Sequence, residues 1–205
     1  RGDLLVMNTL QDLMISRVRV KMLELFLTNQ KELYYVRDIS RQIKEEINAV
    51  RRELERLTMT GLLKSEQRGN RLYYYLNPKY IFFPELERMI AKTTGLGKKL
   101  RKLQNKLGTV EFVMFSSRYV QGLPPAQGQL DILLVGDIVL QDLADLIKED
   151  ETARGREINY TVFSKDEFEF RKQRRDPFIM DVLFASRVMV IGSEDDFVER
   201  KPPQI

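Results

Sequence analysis

The sequence predicts an α+β protein made of two parts, and three observations support this prediction. Residues 15–80 show helical periodicity followed by two β-prone runs around a turn, whereas residues 109–192 alternate between strand and helix patterns. Charge divides the chain in the same way. Residues 1–108 carry 22 Lys and Arg against 12 Asp and Glu, whereas residues 109–205 carry 12 against 18. A basic half joined to an acidic half indicates that only the first meets a polyanion such as nucleic acid.

Composition narrows the classes of function. The chain has 205 residues, of which 43% are hydrophobic and 31% charged, as is usual for soluble folded proteins. It contains neither cysteine nor histidine, which excludes disulfides, thiolate chemistry, a Ser-His-Asp triad and histidine-ligated zinc. No apolar run approaches the ~20 residues that span a bilayer, and no signal peptide is recognisable. We therefore expect a cytoplasmic protein without a membrane partner.

Four helices are predicted in the first part of the chain. They are expected at residues 4–14, 17–28, 35–43 and 47–60. Ser16 is a suitable N-cap for the second helix, because its hydroxyl can accept a backbone N–H of the first turn. The fourth helix places Val50, Leu54 and Leu57 on one face. Gly61 follows it directly, at the position where a left-handed residue often ends a helix.

A β-hairpin is predicted after the fourth helix. Residues 62–67 and 71–76 are β-prone and flank a turn at Arg68-Gly69-Asn70, and Asn77-Pro78 ends the second run. The order helix, turn, helix, glycine, hairpin is typical of a winged helix-turn-helix. We assign residues 1–80 to a DNA-binding domain of this kind.

Residues 81–108 are expected to form a helical linker. Pro84 suits the first position of a helix, and Gly95 and Gly97 are expected to break it. Leu96, Leu100, Leu103 and Leu107 then repeat at spacings of four, three and four residues along a basic helix. This stripe has two interpretations, a linker helix packed on its own chain or the seam of a dimer.

The second half, residues 109–192, is predicted to alternate strands and helices. Strands are expected at 110–115, 130–135, 156–164 and 187–191, and helices at 139–147, 166–175 and 176–184. Residues 193–205 are polar and contain Pro202-Pro203, so we expect them to form a loose tail.

Polar and basic side chains fall where a DNA-reading protein needs them. The N-terminal half of the fourth helix carries Asn and Arg opposite its apolar face, and these side chains can bond base edges in the major groove. Basic residues near the hairpin turn and on the third helix could reach phosphates or the minor groove. The candidate DNA contacts are Arg37, Arg41, Lys44, Asn48, Arg51, Arg52, Arg68, Asn70 and Arg71. A solvated helix face or a protein–protein surface would show a similar pattern.

Part of this first half resembles a known family. The segments Tyr35-Val-Arg-Asp-Ile-Ser-Arg-Gln-Ile, Ile47-Asn-Ala-Val-Arg-Arg-Glu-Leu-Glu-Arg-Leu and Gly61-Leu-Leu resemble winged-helix repressors of the arsenic-repressor (ArsR-like) type. The resemblance covers about residues 15–80. It implies a winged helix-turn-helix fold that binds double-stranded DNA.

The second half resembles another family. Phe115-Ser-Ser-Arg, a loop and Gln129-Leu-Asp-Ile-Leu-Leu-Val are similar to the minimal nucleotidyltransferase domain of the DNA polymerase β superfamily. In that family a Gly-Ser turn follows a strand, and Asp-x-Asp lies on the next strand. A later strand adds a third carboxylate, and together they hold two Mg²⁺ ions for a nucleoside triphosphate. The resemblance implies an α/β domain with a mixed sheet.

The family pattern is only partly present here. Its Gly falls on Ser116, its Ser on Ser117, its two aspartates on Gln129 and Asp131, and its third carboxylate near Asn159. One carboxylate of three remains, and a single Asp cannot hold two Mg²⁺ ions. The resemblance therefore implies a catalytically inactive domain with no cofactor, although Mg²⁺ or a nucleotide stays open as a ligand. The residual nucleotide site would comprise Ser116, Ser117, Arg118, Gln129, Asp131 and Asn159.

These patterns favour a cytoplasmic DNA-binding transcriptional regulator. The expected partner is double-stranded DNA, and a homodimer is expected because one reading helix per chain usually requires a pair. The second domain would serve sensing, with a nucleotide as one candidate effector, or oligomerisation. Two alternatives stay open: an active nucleotidyltransferase that uses Mg²⁺ and a nucleoside triphosphate, and an antitoxin-like protein-interaction module.

Overall fold

The computed structural model describes residues 16–126 and 128–199. It confirms the α+β class and the presence of a mixed sheet. The chain divides into two compact units after Thr93. The helix expected at residues 4–14 lies outside the described residues.

The first unit combines helices with a three-stranded antiparallel sheet. Its elements are α1 (Arg17–Thr28), β1 (Tyr34–Tyr35), α2 (Val36–Ile43), α3 (Ile47–Met59), β2 (Leu63–Arg68), β3 (Arg71–Leu76) and α4 (Phe83–Thr93). The strand order is β1-β3-β2, and the residue pairs Tyr34 with Tyr74 and Leu63 with Leu76 define its register. The predicted second, third and fourth helices and the predicted hairpin are all present.

Local chemistry fixes the ends of these elements. The Ser16 hydroxyl accepts the Arg19 backbone N–H at 3.2 Å, as predicted for an N-cap. Gly61 follows α3 with a φ of +83°, which a residue with a side chain adopts only at a cost. The hairpin turn is shorter than predicted. Arg68 and Arg71 pair as the last rung of the ladder, so that Gly69 and Asn70 alone make the turn.

One apolar core holds the first unit together. Val20 and Phe26 of α1, Ile39 of α2 and Leu54 of α3 are each at most 1% exposed and belong to this core. Leu63 joins them from the first strand of the hairpin. Because the apolar face of α3 is buried here, the opposite face of that helix turns to solvent.

The predicted linker, residues 81–108, is divided between the two units. Helix α4 packs on the core of the first unit through Phe83 and Ile90. It begins at Phe83, so Pro84 is its second residue and not its first. The break falls at Thr94, and Gly97 lies inside the next helix, α5 (Gly95–Lys102), instead of ending one.

The leucine stripe lies in the core of the second unit. Leu96, Leu100 and Leu107 are 2%, 0% and 1% exposed. The helix ends at Lys102, so Leu103 and Leu107 lie beyond it. Since three of the four leucines are buried within their own unit, they are not available for the dimer seam that their spacing allowed. Of the two interpretations of the leucine stripe, the structure therefore agrees with packing on its own chain.

The second unit is built on a four-stranded sheet. After α5 its elements are β4 (Gly108–Ser116), α6 (Ser117–Val120), β5 (Ile132–Ile138), α7 (Leu140–Arg154), β6 (Tyr160–Phe163), α8 (Lys165–Gln173), α9 (Pro177–Phe184), β7 (Arg187–Ile191) and α10 (Glu194–Val198). The strand order is β6-β5-β4-β7. Strand β4 is antiparallel to both β5 and β7, whereas β5 and β6 are parallel.

The central strand β5 is buried on both faces. Ile132 and Leu134 join one apolar cluster, and Leu133 and Val135 join another. All four side chains are 0% exposed. Successive side chains of a strand point to opposite faces, so a continuous apolar run is the pattern of a strand with a core on each side.

Strand β6 is shorter than the predicted strand at 156–164, and the cause is hydrogen bonding before Tyr160. The Ile158 N–H donates to the Glu151 carboxylate at 2.8 Å, and the Asn159 N–H donates to the Asp131 carboxylate at 3.1 Å. In both bonds a backbone N–H donates to a side-chain carboxylate. In a β-ladder it would donate to a backbone carbonyl of the neighbouring strand. The preceding helix, α7, runs to Arg154, well past the predicted end at residue 147.

The prediction of a loose tail at 193–205 is wrong for its first residues, because Glu194–Val198 form a helix. The Ser193 hydroxyl accepts the Asp196 N–H at 3.1 Å and begins helix α10. Phe197 is 0% exposed, and its ring centroid lies 5.4 Å from that of Phe112 and 5.1 Å from that of Phe168. Burial of one aromatic ring anchors a segment whose overall composition is polar. Residues 200–205 lie outside the described part of the chain.

We predict that Phe197→Ala will lower the free energy of unfolding by about 3–5 kcal/mol, because it removes a buried ring and leaves a cavity. Urea unfolding followed by circular dichroism measures this change. Phe170→Ala is the matched control: that ring is 55% exposed, and surface substitutions usually change stability by about 0.5 kcal/mol or less. Equal losses for the two variants would contradict the anchoring role of α10.

Candidate functional site

The exposed face of α3 carries the residues predicted to read DNA. Asn48, Arg51 and Arg52 are all exposed, opposite buried Val50 and Leu54. The Arg51 guanidinium donates to the Asn48 side-chain oxygen at 3.3 Å. The three side chains lie in the first half of the helix, so they form one polar surface at its N-terminal end.

The turn between α2 and α3 sets the orientation of this surface. The Ser40 hydroxyl donates to the Glu45 carbonyl at 2.7 Å, and Lys44 adopts a left-handed φ of +53°. The Lys21 ammonium of α1 donates to the Ile43 carbonyl at 2.8 Å and to the Glu45 carboxylate at 2.6 Å. The hydrogen bond from Lys21 is the main cause that lowers the pKa of Glu45. Three helices thus meet at one turn, which fixes the direction of α3.

Glu46 caps the N-terminus of α3. Its carboxylate accepts the Ala49 backbone N–H at 2.9 Å. Backbone hydrogen bonds from Asn48 and Ala49 hold the pKa of Glu46 below its ordinary value of 4.5, and the charges of Arg52 and Arg51 add to the effect. A negative charge at this end also suits the helix dipole.

Ion pairing separates the cations of α1 from two arginines of α3. The cations of α1 form ion pairs within the unit: Lys21 pairs with Glu45, and Arg19 pairs with Glu53, which is only 3% exposed. By contrast, Arg51 and Arg52 form no ion pair with a carboxylate among the residues that the structure describes. Their charge is therefore available to a partner outside the chain.

The remaining predicted contacts on α2 and its turn are also exposed. Arg37, Arg41 and Lys44 all face solvent. Arg41 lies 3.2 Å from the Asp38 carboxylate, an exposed contact between residues three apart on the helix. Such pairs contribute little and exchange readily, so this one does not remove Arg41 from use.

Aromatic rings hold the basic residues near the hairpin turn. The Arg71 guanidinium lies 4.6 Å from the Tyr35 ring centroid, and the Arg68 guanidinium lies 5.9 Å from that of Tyr73. The two rings contact each other edge to face at 5.7 Å. Arg68 also pairs with Glu66, and Asn70 is exposed in the turn. The contribution of Tyr35 could not be seen in the sequence, because it depends on the pairing of β1 with β3.

In the second unit, four of the six predicted nucleotide-site residues line one pocket. Its volume is about 610 Å³, and Ser116, Ser117, Arg118 and Gln129 contribute to its wall. The pocket lies where β4 ends and β7 begins, since Ser116 pairs with Arg187 across these strands. Apolar side chains make up much of the rest of the wall, namely Met114, Leu130, Phe178, Val182 and Phe184, and Asp181, Ser186 and Arg187 add polar groups.

The other two predicted residues, Asp131 and Asn159, do not line the pocket. Asp131 forms a buried ion pair with Arg156, and Asn159 donates a hydrogen bond to the same carboxylate. Asp131 is 0% exposed, and Arg156 bonds both of its oxygens, at 2.8 Å and 3.0 Å. The Asn159 backbone N–H adds a third bond to this carboxylate at 3.1 Å, and the Asn159 side chain donates to the Gln129 carbonyl at 2.9 Å. The hydrogen bonds that Arg156 donates to Asp131 are the main cause that raises the pKa of Arg156.

A second buried group lies beside this pair. The Tyr119 hydroxyl donates to the Asp150 carboxylate at 2.6 Å, and Arg154 donates to the same oxygen at 2.6 Å. The Arg154 guanidinium lies 4.0 Å from the Tyr119 ring centroid, and that of Arg156 lies 5.9 Å from it. Burial raises the pKa of Tyr119 far above its ordinary value, so this phenol stays protonated and donates.

The residues at the expected metal position do not fit a pair of Mg²⁺ ions. Mg²⁺ binds through carboxylates that present free oxygens. Both oxygens of Asp131 are already bonded to a guanidinium, and Gln129 and Asn159 supply neutral amides. Within residues 16–126 and 128–199, no group of three or more His, Cys, Asp or Glu could hold a metal ion.

Sequence reasoning missed Arg156, although the topology explains its role. Strands β5 and β6 are parallel neighbours, so their N-terminal ends meet at one edge of the sheet. Asp131 directly precedes β5, and Arg156 precedes β6 by four residues. A prediction of which strands pair would have brought the two charges together, but the sequence alone does not give that pairing.

Comparison with known proteins identifies no relative: no protein-family model, curated protein or solved structure matches the chain. The two family resemblances of the motifs therefore stay predictions. Among the described residues, no helix has the length and apolar character needed to cross a membrane.

We predict that Glu46→Gln will destabilise the protein at neutral pH and that the difference from wild type will shrink in acid. The folded-state pKa of Glu46 is below 4.5, so its stabilisation is present above pH 4.5 and is lost as the pH falls through the folded-state value. Urea unfolding at a series of pH values measures this. Glu46→Asp, which keeps a charged cap, should retain the pH dependence. A difference independent of pH would contradict the prediction.

We predict that Arg156→Met will lower the free energy of unfolding by about 3–5 kcal/mol, because it leaves a buried carboxylate without its partner. The matched control is Lys165→Met. Its ion pair with Glu111 spans 2.7 Å, but the two side chains are 49% and 32% exposed, and exposed pairs contribute about 0–1 kcal/mol. Urea unfolding compares the variants, and a loss no larger than that of the control would show that the Asp131 pair is not structural.

Proposed function

We propose that the protein is a DNA-binding transcriptional regulator whose first unit is a winged helix-turn-helix. The observation that carries this proposal is the exposed face of α3, where Arg51 and Arg52 have no carboxylate partner among the described residues while the cations of α1 are paired internally. A helix that points in a fixed direction and presents Arg51 and Arg52 without a carboxylate partner in the described part of the chain suits a polyanionic partner.

The side chains on α3 have the chemistry for reading bases. Arginine bonds the O6 and N7 atoms of guanine in bidentate fashion, and asparagine bonds adenine in the same way. In the proposed complex, Asn48, Arg51 and Arg52 enter the major groove, which admits a helix. Specificity would then come from these three residues.

Other basic residues are suited to the DNA backbone. Arg37, Arg41 and Lys44 are exposed on α2 and in the turn before α3, where phosphate contacts would fix the position of the reading helix. Arg71 and Arg68, stacked on Tyr35 and Tyr73, are placed at the hairpin tip with less freedom than solvated side chains. Asn70 lies between them in the turn, and the tip is proposed to contact phosphate or the minor groove.

The second unit is proposed to act in sensing or oligomerisation without catalysis. Its pocket of about 610 Å³ combines apolar walls with Ser116, Ser117, Arg118 and Gln129, a size and composition suited to a small ligand. A nucleotide effector is one candidate for that ligand. The proposal includes a cytoplasmic location and a homodimer, formed through surfaces other than the buried leucines of α5.

The alternative of an active nucleotidyltransferase is favoured by the pocket at Ser116 and Ser117 and opposed by the Arg156–Asp131 pair. Incubation with labelled nucleoside triphosphates and Mg²⁺ tests it. We expect no transfer to protein or added acceptors. Transfer that disappears in an Asp131→Ala variant would establish the alternative.

A protein-interaction module of the antitoxin type is favoured by exposed apolar side chains in the first unit. Met59, Ile81 and Phe82 are 87%, 77% and 56% exposed. Such side chains are more common on surfaces that bind proteins than on surfaces that bind DNA. Co-purification with one defined second polypeptide, together with absence of DNA binding at low salt, would favour this candidate over the regulator.

We predict that the whole chain binds duplex DNA with an affinity that falls steeply with salt, because phosphate contacts release counterions. Fluorescence anisotropy with a mixed-sequence duplex measures this, and selection from a random library supplies the preferred site. On that site, Arg51→Ala and Arg52→Ala should each weaken binding by about 1–3 kcal/mol for a lost base contact.

Arg56→Ala is the matched control for this experiment. Arg56 lies on the same helix, is 64% exposed and faces Glu53 at 3.8 Å. Its loss should change affinity less than the loss of either predicted reader. If Arg56→Ala weakens binding as much as Arg51→Ala, the N-terminal half of α3 is not the specific reading surface. The absence of any DNA binding at low salt would remove the regulator proposal.

A further inference from the structure

Arg156 occupies a central position in the second unit. Its guanidinium bonds both oxygens of Asp131, and it also donates to the Glu157 carbonyl at 2.8 Å and to the Leu123 carbonyl at 3.2 Å. One cation therefore joins the residue before β5, the segment before β6 and the loop after α6. This is the kind of bridging that a coordinated metal ion gives to a fold.

The charges around Asp131 are balanced without any further cation. Asp131 is 0% exposed, and its carboxylate accepts three hydrogen bonds, two from Arg156 and one from the Asn159 N–H. The other buried carboxylate described in the second unit, Asp150, is bonded to Arg154 and to the Tyr119 hydroxyl. Each of these two buried carboxylates thus has its own arginine, so neither offers an uncompensated charge to an added divalent ion.

We propose that Arg156 is the resident cation of this site: it takes the place of a divalent metal ion at Asp131 and ties the loop after α6 to the start of β5 through Leu123 and Asp131. The proposal concerns the second unit alone and does not depend on DNA binding by the first. The loop held in this way carries Gly128, Gln129 and Leu130, which line the neighbouring pocket. The pocket is therefore shaped by a protein side chain and is independent of metal.

The first test uses Mn²⁺ alone as the probe, with paramagnetic resonance to count bound ions. Three whole-chain proteins are compared: wild type, a Gln129→Asp/Asn159→Asp variant, and the same double variant with Arg156→Met added. The two aspartates restore the missing carboxylates, and the third change removes the resident cation. We expect no bound Mn²⁺ in wild type and binding in the triple variant that is tighter than in the double variant by about tenfold or more.

Each outcome of this test bears on the proposal. Binding of Mn²⁺ by wild type that is lost in Asp131→Asn would overturn it, since Arg156 would then not occupy the site. Equal affinities of the double and triple variants would overturn it as well, because the guanidinium would not compete with the metal. Circular dichroism establishes that the variants are folded before the affinities are compared.

A second measurement, which does not require the triple variant, tests whether Arg156 holds the loop in place. Hydrogen exchange is measured on peptides that cover residues 121–131 in wild type, Arg156→Met and Lys165→Met. We expect faster exchange of this loop in Arg156→Met alone, and no effect of Mn²⁺ on the wild-type loop. Unchanged exchange in Arg156→Met, or slower exchange of the wild-type loop with Mn²⁺, would refute the role of Arg156 as resident cation.

Discussion

A carboxylate removed from water must be paired, and this constraint shapes the centre of both units. Glu53 is 3% exposed and bonded to Arg19 in the first unit, and Asp131 is 0% exposed and bonded to Arg156 in the second. An unpaired charge at either position would carry a large desolvation penalty. The arginine partners come from elsewhere in the chain, so each pair forms only when the elements have assembled.

The same constraint separates structural cations from available ones. Basic residues of α1 satisfy carboxylates on α3 and on the turn that precedes it, as Lys21 does for Glu45. This leaves Arg51 and Arg52 on the exposed face of α3, without carboxylate partners among the residues that the structure describes. Part of the excess positive charge of the first half is therefore left on the exposed face of α3. That placement supports the proposed regulator more directly than net charge does.

In the second unit, the constraint changes what a familiar motif can do. Asp131 has the sequence position of a metal ligand in the resemblance to nucleotidyltransferases, but its oxygens face Arg156. The adjacent pocket keeps Ser116, Ser117 and Gln129 in its wall. The carboxylate beside this pocket is therefore already neutralised. In the function proposed for the second unit, the pocket would bind a ligand without chemistry.

The sequence by itself determined the features that depend on local order, because periodicity and caps act between near neighbours. These features are the helices at 17–28 and 47–60, the hairpin, the alternating second half and the exposed face of α3. Tertiary structure alone decided what depends on distant partners. Leu96 is core because α5 packs within the second unit. Phe197 anchors a segment that is polar in composition, and Asp131 meets Arg156 because β5 and β6 are parallel. Contacts across 25 residues or more leave no periodic signal in a sequence, so pairing and burial had to be read from the assembled fold.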